Sequence, residues 1–86
     1  MTVREMREII AGEELEKYSR FYFGTTYIGE NCISMNPVSE GQYEVCVTGE
    51  RGKNTAWILS EPEACEKVID YLRFRKRTWM KYGPLF

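Results

Sequence analysis

The chain has 86 residues, of which 43% are hydrophobic and 29% charged. This is a globular composition with room for one domain and one small core, and none for a deep catalytic cleft. The net charge of −1 conceals an asymmetry. Every acidic residue precedes Tyr71, whereas residues 71–86 carry Arg73, Arg75, Lys76, Arg77 and Lys81 and no acid.

The chain opens with Thr2 and Glu5 at capping-box spacing, followed by Val3, Met6, Ile9 and Ile10 on one helical face. A helix is expected to about Lys17, although Leu15 and Tyr18 drift off its apolar face beyond Gly12. Arg20 to Phe23 is aromatic and favours a strand, and the run continues to Ile28. Gly29-Glu30-Asn31 reads as a turn. A second strand follows from Cys32 to Met35, with pairing expected to stop near Pro37. After the Ser39-Glu40-Gly41 turn, Gln42 to Thr48 alternates cleanly, with Tyr43, Val45 and Val47 on one side. Gly49 to Gly52 reads as a hairpin loop. Asn54 to Leu59 is apolar on both sides, with Ala56 and Ile58 facing one way and Trp57 and Leu59 the other.

Ser60 and Glu63 form a second capping box, with Pro62 in the first turn. Cys65, Val68, Ile69, Leu72 and Trp79 then share a stripe, giving a helix from about Glu61 to Arg77 or slightly beyond. The expected fold is α+β: an N-terminal helix, a four-stranded antiparallel meander and a C-terminal helix, with both helices packed on one sheet face. Antiparallel order is expected because every strand connection is short. Residues 1–82 form the single domain and 83–86 a tail.

The chain has no histidine. The commonest general base, triad partner and metal ligand are therefore missing. No nucleophile elbow, phosphate loop or dinucleotide fingerprint occurs. Cys32, Cys46 and Cys65 lack the paired spacing of a zinc site, and their odd number suits reduced thiols. Cys65 lies in an apolar stripe and Cys46 on a wet strand face. No secretory segment and no apolar run long enough for a membrane span is present, so a cytoplasmic protein is expected. The expectation is a protein that is not an enzyme and uses no cofactor and no metal.

Several side chains look misplaced for a closed monomer. Phe74 leaves the stripe of its helix, and Tyr22 lies opposite Phe21 and Phe23. One of Trp57 and Ile58 must face away from the core. Exposed aromatic residues near charges are typical of interfaces.

The segment Tyr43-Glu44-Val45, then Gly49-Glu50-Arg51-Gly52, Glu63-Ala64, Val68-Ile69 and Leu72-Arg73 resembles small α+β immunity proteins of bacterial polymorphic toxin systems. The likeness covers roughly residues 18–73 as a pattern of short elements. The basic aromatic extension after Arg73 is not part of it. The resemblance implies a cognate toxin, bound and blocked in the producing cell. On this reading Glu30, Glu44 and Glu50 steer association, and Tyr22 and Trp57 anchor the partner. Two alternatives remain. One is a nucleic-acid-binding module using Arg73, Phe74, Arg75 and Arg77 for phosphate contact and stacking. The other is a homo-oligomeric accessory subunit; the chain itself is expected as a monomer or homodimer.

Overall fold

A threonine and a glutamate three residues apart begin the fold. In the computed structural model, which describes residues 1–25, 31–49 and 54–83, Thr2 caps helix α1 (Val3–Gly12). Its hydroxyl accepts from the Glu5 amide at 3.2 Å, and the Glu5 carboxylate accepts from the Thr2 amide at 3.0 Å. Both satisfy amides that a helix start leaves open. The Val3 amide donates to Glu61 Oε2 at 2.9 Å, tying this end to the second helix.

Helix α1 ends at Gly12 and does not reach Lys17 as the sequence suggested. Glu14 takes a left-handed backbone, φ 53°, and a short 3-10 turn follows over Leu15–Lys17. The break has a packing reason. Leu15 is off the apolar face of α1, and only a change of direction turns it into the core, where it is fully buried.

The sheet comprises β1 (Phe21–Phe23), β2 (Cys32–Ser39), β3 (Gln42–Thr48) and β4 (Asn54–Ser60), in that spatial order. β2–β3 and β3–β4 are antiparallel, but β1 runs parallel to β2. The expected antiparallel meander is therefore corrected to a mixed sheet. β1 has three residues, so the return to the start of β2 covers only about 10 Å, well within reach of the short connection. Short connections demand hairpins only when the strands are long.

β2 also passes through Pro37, which pairs with Tyr43. The β1 partners end at Met35, so at Pro37 the strand has β3 on one side and no paired strand on the other. A missing amide is tolerated there. Glu40 and Gly41 then turn the chain, with Gly41 at φ 71°. The expected turn at Gly29–Asn31 and the loop at Gly49–Gly52 lie largely outside the described residues.

Helix α2 (Glu61–Tyr82) begins at Ser60, whose hydroxyl donates to Glu63 Oε1 at 2.8 Å, with Pro62 in the first turn. It buries Ala64, Cys65, Val68, Ile69, Leu72 and Arg75. All of these but Arg75 form one core with Met6, Ile10, Leu15, Ile33, Met35 and Val45. Phe21, Phe23, Tyr43, Val47, Trp57 and Leu59 are half-buried around it. The fold is thus α+β, with two helices and a four-stranded sheet. No described helix is long and apolar enough to cross a membrane.

Candidate functional site: the outer sheet face and the β4 edge

Strand register divides the sheet into two faces. Phe21, Ile33, Val47 and Thr55 align across it, as do Phe23, Met35, Val45 and Trp57. This face meets the core. The other face carries Tyr22, Ser34, Cys46 and Ala56 in one row and Asn36, Glu44 and Ile58 in the next.

Exposure on the outer face rises toward β4. Cys32, Ser34 and Thr48 are buried; Asn36, Glu44 and Cys46 are half-buried; Asn54, Ala56 and Ile58 are exposed. Ile58 stands out, with 53% of its surface open to water. This face carries two of the sequence candidates in adjacent rows, Tyr22 in one and Glu44 beside Ile58 in the other. Tyr22 is half-buried and shares a side-chain hydrogen bond with Arg20.

Trp57 lies on the core face, not with them. It is half-buried against the core, and Lys67 Nζ stands 4.0 Å from its ring centre. A cation held over an indole face is an attractive contact that also covers the ring. Glu30 and Glu50 lie outside the described residues. Alternation in β4 could have assigned the two faces: Trp57 and Leu59 form the bulkier pair, and the bulkier pair takes the core.

Among the described residues β4 has a partner strand on one side only. Beside its open edge, Leu59, Glu63, Glu66, Lys67 and Asp70 line a shallow groove of about 220 Å³. Spacing along the chain does not reveal this groove, because the convergence of its side chains depends on how α2 lies beside β4. A larger depression of about 520 Å³ lies between α1, the 3-10 turn and β1, lined by Arg7, Ile10, Phe21 and Phe23 among others. Within it Glu14 pairs with Lys17, and Arg7 Cζ lies 4.8 Å from the Phe23 ring centre.

The basic end of α2 is less available than its sequence suggests. Arg73 makes a two-point contact with Glu13, Nε to Oε1 at 3.1 Å and Nη2 to Oε2 at 2.5 Å. This pairing holds the Glu13 carboxyl below its ordinary value. Arg75 is only 6% exposed and belongs to the buried stripe, so a phosphate on the surface cannot reach it as the alternative reading requires. Beyond Arg75 no residue of α2 is buried. Trp79 packs edge-on to Tyr18, centroids 5.9 Å apart. Phe74, Met80 and Tyr82 are exposed, as are Arg77 and Lys81.

None of the three cysteines forms a disulfide. Cys32 and Cys65 are buried, and burial pushes the Cys65 thiol up to about 11. Cys46 is half-buried on the outer face; desolvation, then the nearby Glu44, raise its pKa. Raised pKa values favour the thiol over the reactive thiolate. Among the described residues, no group of three or more His, Cys, Asp or Glu is placed to hold a metal ion.

No protein-family model, curated protein or solved structure matches the chain.

Proposed function

We propose that the chain is a protein-binding inhibitor of the immunity type, which docks a cognate bacterial toxin in the cytoplasm through the outer face of its sheet. In this reading both helices lie on the core side, and the part of the opposite face that is open, toward β4, takes the partner. A short axis of 16 Å suits a two-layer molecule of this kind. The observation that carries the proposal is the row Asn36, Glu44 and Ile58. It places a carboxylate beside an aliphatic side chain that is 53% exposed, next to the exposed Ala56. An apolar contact flanked by charge is how recognition surfaces combine affinity with steering.

A nucleic-acid module at the end of α2 is the weaker reading. It retains Phe74 and Arg77, but Arg73 is engaged by Glu13 and Arg75 is buried.

The test is affinity capture of the tagged chain from its native lysate, at low and high salt and with nuclease. One stoichiometric protein is expected to survive both treatments. Producing that protein alone should arrest growth, and co-producing this chain should relieve the arrest. A harmless partner, or recovery of nucleic acid alone, overturns the proposal.

A further inference from the structure

The two edges of the sheet differ in kind. β1 is an edge of three residues, and shortness by itself limits what can pair there. β4 is seven residues long and pairs with β3 from Thr48↔Asn54 to Gln42↔Ser60 without a register shift. It contains no charged residue, no proline and no bulge. Those are the devices that normally stop an edge from taking up another strand. Its outward row of backbone amides and carbonyls has no strand partner among the described residues.

What borders this edge selects what fits it. On the core side is the groove of Leu59, Glu63, Glu66, Lys67 and Asp70, with three carboxylates to one ammonium. The ammonium stands over the Trp57 ring. On the outer side are Ala56 and Ile58, both exposed and uncharged. Side chains of an added strand alternate between these two environments. A second copy of this chain, joined edge to edge about a two-fold axis, would set one acidic groove against another. Nucleic acid would meet the same repulsion. A cationic strand would be attracted.

We infer that the β4 edge accepts an extended strand of a partner protein, with cationic side chains facing α2 and apolar ones beside Ile58. The inference rests on the protein-binding reading and specifies its partner. The partner strand extends the sheet by main-chain hydrogen bonds, and the alternation of its side chains supplies the selectivity.

A synthetic probe separates this claim from the identity of the natural partner. The intact protein is titrated with a capped seven-residue peptide of alternating lysine and valine, and amide shifts and hydrogen exchange are followed by NMR. Shifts and protection should concentrate at 54–60. The corresponding glutamate–valine peptide should bind at least about tenfold more weakly, since like charges replace opposite ones. Ile58→Lys, at an exposed position, should abolish binding, and the Glu66→Gln/Asp70→Asn pair should weaken it and flatten its salt dependence. The inference is overturned if the lysine peptide leaves β4 unprotected or if both peptides bind equally. It is overturned too if β4 amides of the protein alone become protected as its concentration rises, which would assign the edge to a second copy. Failure here with successful capture of a toxin removes the edge and leaves the inhibitor reading; success here with no toxin does the reverse.

Discussion

The ammonium of Lys67 stands 4.0 Å from the centre of the Trp57 ring, joining α2 to β4 beside the open edge of the sheet. The contact turns the most conspicuous aromatic of β4 into part of the scaffold. Trp57→Ala is expected to destabilise the fold by roughly 2–4 kcal/mol, toward the lower end of the range for large core truncations because the ring is half-buried. Lys67→Ala should cost about 1 kcal/mol from the lost cation–ring contact. Urea unfolding of each variant measures both.

Glu13 and Arg73 connect the end of α1 to the fourth turn of α2. Both are partly exposed, so a double-mutant cycle should return a coupling of about 1 kcal/mol or less. The sign with pH is fixed by the lowered carboxyl pKa of Glu13. The contribution is present above the unfolded value of 4.5 and is lost as pH falls through the lower folded value. A Glu13→Gln variant should therefore differ from the parent at pH 7 and converge on it in acid.

Cys65 gives the opposite pH dependence. Its folded pKa is raised from 9.0 to about 11, first by desolvation. Stability from keeping this thiol neutral is complete below pH 9 and disappears as pH rises through the folded value. That corresponds to roughly 2–3 kcal/mol. Unfolding free energies measured between pH 8 and 11 should fall, and Cys65→Ala should reduce the slope, leaving the part due to Cys46 and Tyr71, whose pKa values burial also raises.

Cys46 should be the first thiol modified by a small alkylating reagent, because Cys32 and Cys65 are buried. With its pKa raised by burial and by Glu44, its rate should still be climbing above pH 9. Peptide mass spectrometry after timed quenching gives the order; prior labelling of Cys65 in the folded protein would contradict the packing described.

Much of this fold is legible in the sequence, and the exceptions share a cause. The Thr2–Glu5 cap, the alternation of β3 and the stripe of α2 are local signals, and local signals specify elements well. The parallel β1 was not legible, because strand direction depended on how short β1 proved to be. Arg75 was not legible as a buried residue, because type and position disagree there: its helical position matches Leu72 and Val68, while its charge suggests solvent. In the site, Tyr22 and Glu44 could be singled out from sequence. Their shared face with Ile58 required the register across four strands. The acidic groove required the packing of α2 beside β4.

The central claim is that the outer face of the sheet binds a protein partner. The most direct measurement is the dissociation rate of the captured partner from wild-type protein and from Ile58→Asp and Glu44→Lys variants whose unfolding curves match the wild type. The account predicts much faster release from Ile58→Asp and a slower, less salt-sensitive association for Glu44→Lys. A partner that binds both variants as it binds the wild type would contradict it and move the interface to the exposed end of α2.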